Sequence, residues 1–162
     1  AVLELAYRPV AEADLPVICR FPRTVEELFF MYPKATFPLT VEQLRKTIAE
    51  RSDATVGVYQ GNVVVFGNLS KWELGGECTI GNVIVDPSLR GCGVGRQFVD
   101  YMTELARTKY QARIVSLNVL NENAPALLLY TKMGFAPFAV EERIHPCGKR
   151  VAAIRMRKIF SN

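Results

Sequence analysis

The sequence is poor in the residues that metal sites and disulfide frameworks need. It has one histidine, His145, and four cysteines, Cys19, Cys78, Cys92 and Cys147, spread singly with no C-x-x-C pair. Conventional spacings therefore assemble no structural zinc site, no metal is expected, and reduced thiols are the default. No stretch reaches 18 apolar residues, so no helical membrane span is expected. Ala1 to Arg8 alternates charged with apolar residues instead of forming a basic segment followed by an apolar run, which makes a cytoplasmic protein the expectation. Lysine and arginine form no block interleaved with aromatics, so nucleic acid is not the expected partner despite a pI near 9.0. Internal repeats, low-complexity segments and linkers are also missing.

What remains is an ordinary globular composition. The 162 residues are 49% hydrophobic and 22% charged, which suits one domain. A chain of this length buries roughly 70% of the surface it exposes when unfolded, enough for a core without staples. Charge is uneven: residues 1–80 hold 8 Lys and Arg against 10 Asp and Glu, whereas residues 81–162 hold 12 against 6. The basic half suits a small polyanion, and the mildly acidic half would tolerate a cationic amine or simply form a charged surface.

Hydrophobic periodicity gives the order β-α-α-α-β-β-β-α-β-α-β-β. Leu3 to Pro9 reads as a strand and Glu12 to Arg20 as a helix stopped by Phe21-Pro22. Thr24-x-x-Glu27 and Thr40-x-x-Gln43 are capping boxes opening two further helices. Two β-branched runs flank Gln60-Gly61-Asn62 as a hairpin, and Glu77 to Val85 is a third strand. Val94, Phe98, Met102, Leu105 and Ala106 draw one apolar stripe down a helix. Strand Ile114 to Val119, helix Ala124 to Met133 and a closing hairpin turned at Pro146-Cys147-Gly148 complete the chain.

Two segments carry chemistry. In the first, strand Val83-Ile84-Val85 leads through Arg90-Gly91-Cys92-Gly93-Val94-Gly95-Arg96 into a helix. Three glycines at alternate positions remove the β-carbons that would block a phosphate, and the helix start supplies unpaired N–H groups. The G-x-G-x-x-G and G-x-x-x-x-G-K-[ST] nucleotide motifs both fail, because Arg96 and Gln97 stand where they need glycine and lysine. In the second, a strand enters an Asn-rich turn, Asn123 is placed to cap a helix with Pro125 in its first turn, and Gly134 ends that helix. Tyr130 lies two turns on, as a packing residue or as a proton donor in a cleft.

Together these segments resemble the GNAT superfamily of acyl-CoA-dependent N-acyltransferases. Arg90-Gly91-Cys92-Gly93-Val94-Gly95 matches its [QR]-x-x-G-x-[GA] loop. Leu117, Val119, Asn123, Ala126, Leu129, Tyr130, Lys132, Gly134 and Phe135 match its L-x-V-x-x-x-N-x-x-A-x-x-L-Y-x-K-x-G-F segment. The resemblance implies an α/β (α+β) single-domain fold over residues 1–162. Its sheet would be mixed and mostly antiparallel, of about six to seven twisted strands flanked by helices, with a splayed strand pair forming the CoA cleft. Residues 1–52 would form the acceptor side, 53–135 the acyl-CoA core and 136–162 a C-terminal hairpin. It implies acetyl-CoA as the acyl donor and a primary amine of a small molecule or peptide N-terminus as acceptor, with a homodimer as one possible assembly. Val83, Ile84 and Val85 would hold the pantetheine arm and acyl group. Backbone amides from Gly91 to Gly95, through Cys92, Gly93 and Val94, would bind the pyrophosphate, with Arg90 and Arg96 nearby. Asn123 would bind the pantetheine, and Tyr130 would protonate the leaving thiolate.

One position departs from the family. Many members carry a glutamate on the strand before the glycine loop, and its equivalent here is Gly81. The general base is thereby open among Glu77, four residues away on the same strand face, Glu73, His145, and water. Without that glutamate, a non-catalytic acyl-CoA-binding module is the alternative function. For the acceptor, the resemblance points to the N-terminal helices. Leu28, Met31 and Tyr32 fit one buried face there, while Phe29 and Phe30 cannot both share it and one would line a pocket. Glu77 completes the expected acceptor contacts.

Overall fold

The computed structural model describes residues 3–161. Strand β1 (Ala6–Pro9) is followed by a 3-10 turn and a short helix, α1 (Leu15–Ile18). Next come α2 (Val25–Met31) and α3 (Val41–Glu50). Both start where the threonine caps predict: Thr24 Oγ1 accepts from Glu27 N at 3.1 Å and Thr40 Oγ1 from Gln43 N at 3.3 Å. Neither box closes reciprocally. Gln43 instead bonds Thr36 and Pro38 ahead of its helix, and the Glu27 carboxylate reaches Arg90.

Strands β2 (Ser52–Tyr59), β3 (Asn62–Trp72) and β4 (Glu77–Val85) form a meander, in which β4 has the bounds the sequence predicts. A 3-10 turn at Pro87–Leu89 then leads to α4 (Val94–Lys109), β5 (Ile114–Leu120), α5 (Ala124–Lys132), β6 (Ala136–Ile144) and β7 (Arg150–Ile159). The seven strands lie in the order β1-β2-β3-β4-β5-β7-β6, antiparallel except for the parallel pair β4-β5. The expected mixed, mostly antiparallel sheet is observed.

Alternation along β3 and β4 divides the core between two faces of the sheet. Val65, Val83 and Val85 face α4, whose Val94, Phe98, Val99, Met102 and Ala106 are sealed from water. Gly67 permits that contact, since a Cβ there would collide with the Phe98 ring. Val56, Phe66 and Ile84 face the other way, onto Leu15, Ile18, Leu28 and Leu44 of α1 to α3. Each such aliphatic or aromatic burial is worth about 1.5–3 kcal/mol, which fixes the helices on their faces.

The sheet opens between β4 and β5. They pair only from Glu77↔Ile114 to Ile80↔Leu117, although β4 continues to Val85 and β5 to Leu120. The cause is a bulge: Phe66 and Asn68 of β3 oppose Ile84 and Gly81, so β4 carries one extra residue there. Asn82 adopts φ 52°, in the left-handed region, within the bulge. Its side chain holds that conformation, donating to Met31 O at 2.9 Å and accepting at Oδ1 from Asn68 Nδ2 at 2.9 Å and Thr47 Oγ1 at 2.8 Å. All three polar side chains are buried.

Candidate active site

The splay leaves a cavity of about 970 Å³ walled by Gly81 to Val85 on one side and Leu117 to Leu120 on the other. One end is closed by the glycine loop and the start of α4, the roof by Asn123, Leu129 and Tyr130, and the other end by Phe29, Phe30, Tyr32 and Arg51. Beyond Ile80 the β5-facing edge of β4 has no strand partner, so its backbone groups are presented to the cavity.

The glycine loop is built as the sequence predicts, with one exception. Gly91 (φ 80°) and Gly93 (φ 81°) are left-handed, and a Cβ on either would meet no protein atom. The first intrahelical bond of α4 runs from Gln97 N to Gly93 O, and no side chain caps the helix. The amides of Gly93, Val94, Gly95 and Arg96 thus find no protein acceptor among the described residues, and all four residues line the cavity. Cys92 differs from its neighbours. Its amide donates to Leu89 O at 3.3 Å and its exposed thiol lies beyond the cavity wall. It therefore does not share the donor role expected of the loop, because the tight turn consumes its N–H.

Arg90 is likewise less free than the sequence implies, since its Nη2 lies 2.5 Å from Glu27 Oε1 and clips the loop to α2. Arg96 has no carboxylate partner among the described residues.

Asn123 caps α5 with Oδ1, accepting from Ala126 N at 3.4 Å. Its side-chain Nδ2 has no protein acceptor among the described residues, and Asn123 lines the cavity. The Tyr130 ring packs edge-on to Phe135, with centroids 6.1 Å apart. Its hydroxyl has no protein partner among the described residues, and burial pushes its pKa up to about 12. The phenol is therefore neutral at physiological pH and carries a proton. The sequence left this residue between packing and chemistry; the ring has a packing partner in Phe135, and the residue lines the cavity.

The base candidates are not brought to the cavity. Glu77 shares the strand face of Gly81, but four residues of strand separate them by about 13 Å. There its carboxylate accepts from Ser116 Oγ at 2.6 Å and pairs with Lys71 at 3.3 Å and Arg155 at 3.5 Å. The expectation that Glu77 meets the acceptor is thus corrected: its place is a salt-bridged cluster at the other end of β4. Glu73 lies in the turn before β4, beside Lys71. His145 packs against Phe29 from outside, centroids 5.0 Å apart, with Nδ1 accepting from Cys147 N at 3.1 Å.

Both Phe29 and Phe30 line the cavity, where one was expected. Phe29 turns to a separate small cluster with Leu120, Val151 and Ala153, while Leu28 and Met31 take the core face. Sequence reasoning missed Arg51 and Asn82. Asn82 had a signal, since Gly-Asn inside a strand marks a bulge. Arg51 had none.

Comparison with known proteins agrees with this architecture. Residues 21–135 match the Acetyltransferase (GNAT) family. The chain is 34% identical over 86 residues to a streptothricin acetyltransferase of Streptomyces lavendulae, covering 53% of this chain and 44% of that protein. It is 37% identical over 60 residues to an uncharacterized N-acetyltransferase of Bacillus subtilis, covering 37% of this chain and 24% of that protein. The matches thus span less than half of either relative's length. Among solved structures, spermidine N-acetyltransferase from Vibrio cholerae in complex with CoA and spermine superposes with a TM-score of 0.80 at 19% identity. That superposition covers 96% of this chain and 95% of the other, and establishes the fold.

Proposed function

This chain belongs to the acetyltransferase (GNAT) family, and from that premise we propose that it transfers an acetyl group from acetyl-CoA to a primary amine by direct attack. The acceptor is a small molecule or a peptide N-terminus. One observation carries the reading: the amides of Gly93 to Arg96 and the hydroxyl of Tyr130, none with a protein partner among the described residues, belong to residues lining a single cavity between splayed strands. That a solved neighbour of the same fold holds CoA adds support.

Acetyl-CoA supplies the activated acyl group as a thioester. The amides at the α4 start, with Arg96 beside them, bind pyrophosphate oxygens through directed hydrogen bonds and the positive helix end. The free edge of β4 from Val83 to Val85 aligns the pantetheine arm, and the Asn123 amino group donates to it from the opposite wall. Tyr130 donates its phenolic proton to the sulfur as the C–S bond breaks, and recovers a proton from solvent. The proton lost from the acceptor nitrogen leaves through the open mouth to water, because no free carboxylate lines the cavity among the described residues. Four unpaired cysteines suit a reducing compartment, and we place the protein in the cytoplasm.

Isothermal titration with CoA, followed by a free-CoA release assay over a panel of amines, tests the reading. Binding with release is expected. Absence of CoA binding overturns it.

A further inference from the structure

The acceptor end of the cavity is cationic, and its charges are not balanced by the protein. The two carboxylates in the wall are already paired, Glu27 with Arg90 at 2.5 Å and Glu122 with Lys149 at 3.0 Å. The lining cation Arg143 is paired as well, with Glu141 at 2.8 Å. Arg51 and Lys34 also line the cavity and have no carboxylate partner among the described residues.

Arg51 is the better placed of the two. It follows the last residue of α3, and its guanidinium extends over Gly81. One nitrogen, Nη1, donates to Asn68 Oδ1 at 3.3 Å, which joins it to the buried Asn68–Asn82–Thr47 chain that sets the bulge. The neighbouring carboxylate, Glu50, is turned to solvent beside Lys46. A half-buried guanidinium keeps its charge, and burial without a counter-charge is costly unless a ligand supplies one. Its remaining N–H donors form a planar fork suited to a carboxylate. The distance is also suitable, since Gly81 stands about 10 Å along β4 from Val85, three register positions of β3 once the bulge is counted, at the end of the cavity remote from the proposed pyrophosphate amides.

We propose that Arg51, with Lys34 at the rim, binds a carboxylate on the acceptor, so that the acceptor is a small amine bearing a carboxylate, of the α-amino acid type. This rests on the acetyl-transfer reading above and names its acceptor. Of the two readings the charge balance of the first half of the chain leaves open, the proposal favours a charged surface over a cationic ligand, because the acidic residues counted there lie outside the cavity or are paired within it. It also accounts for Gly81. Where many members of the family carry a glutamate, this chain has glycine, and the space a side chain would take is filled by a guanidinium. The same positive field disfavours an ammonium in the cavity, so the acceptor nitrogen enters as the free amine without a dedicated base.

The test compares α-amino acids with their carboxamides and with spermine in the CoA-release assay on the whole chain. The acids are expected to exceed their amides in kcat/KM by roughly tenfold or more, the scale of a charged hydrogen-bonded pair. In Arg51→Gln that ratio is expected to collapse to within about twofold, through KM for the acid, while CoA affinity measured by calorimetry holds. Arg51→Lys keeps the charge without the fork and is expected to retain part of the preference, which covers the case in which the glutamine variant does not fold. Better turnover of amides or spermine by the parent overturns the acceptor assignment alone, as does an unchanged ratio in a folded Arg51→Gln. Failure to bind CoA, or to acetylate any amine, overturns acetyl transfer and this inference together.

Discussion

The guanidinium of Arg51 fills the space that a side chain on Gly81 would occupy: a Cβ built on Gly81 collides with Arg51 Nη1. The two residues are 30 positions apart in sequence, and neither explains the other in isolation. Gly81 is not in the left-handed region, so the reason for glycine there is room and not backbone freedom.

Gly81→Ala follows directly. The colliding atom is the far end of a flexible side chain, which can move, so the variant should lose no more than about 1 kcal/mol and melt within roughly 4 °C of the parent. Displacing Arg51 should raise KM for the acceptor while leaving CoA affinity intact. Calorimetry beside steady-state kinetics separates the two effects, and weakened CoA binding would contradict the arrangement.

Gly93→Val tests the amide cradle. At φ 81° any β-carbon is strained, and the new side chain would stand where the proposed cradle meets phosphate. CoA affinity should fall at least tenfold, about 1.4 kcal/mol, with a stability loss of about 1–3 kcal/mol from strain. A folded variant that binds CoA unchanged would place the pyrophosphate elsewhere.

Tyr130→Phe keeps the ring against Phe135 and removes only the proton. Turnover should drop by ~10²-fold, with CoA affinity nearly unchanged and melting within a few degrees. Loss of stability with activity preserved would return Tyr130 to a packing role.

The capping pair Asp14–Arg8 gives a pH prediction. Asp14 is buried, accepts from Arg8 Nη1 at 2.7 Å and Nη2 at 2.9 Å, and accepts from Ala11 N at 2.7 Å. The hydrogen bond from Arg8 leads in holding its carboxyl below the usual range, ahead of the opposing effect of burial. A depressed folded pKa stabilises the fold above the unfolded value, about 3.9, and that contribution is lost as pH falls through the folded value. Asp14→Asn should therefore melt several degrees lower than the parent at pH 7, consistent with about 1.5–3 kcal/mol for charged hydrogen bonds. The gap should close below the folded pKa. A gap independent of pH would remove the charge from the explanation.

Local signals were legible in the sequence where the chemistry is itself local. The glycine turn into α4, the Asn123 cap and the Gly134 stop (φ 94°) each need only their chain neighbours, and each lies where the sequence puts it. Long-range pairings were not legible. Arg90 reads as a free cation until Glu27, 63 residues earlier, turns out to leave its capping box for it. Glu77 reads as a neighbour of Gly81 because strand periodicity gives a face and says nothing of distance along it. Arg51 is silent in sequence because its direction depends on where α3 ends against the bulge. The charge balance of the first half of the chain left a cationic ligand and a plain charged surface open for a related reason, since net charge over a segment does not tell which charges face a cavity.

The position of β7 has a consequence for how the protein comes into being. The final strand lies between β5 and β6, pairing with β5 from Ile114↔Ile159 to Leu120↔Ala153, whereas β4 holds β5 over only four positions. One whole wall of the cavity is therefore an open sheet edge until residues 150–159 have emerged from the ribosome. During that interval Ile114 to Leu120, a β-rich run with no charge, is presented to any other strand that reaches it first. Translation that stalls before Arg150 would release a chain with its glycine loop already encoded and a long uncharged strand edge bare.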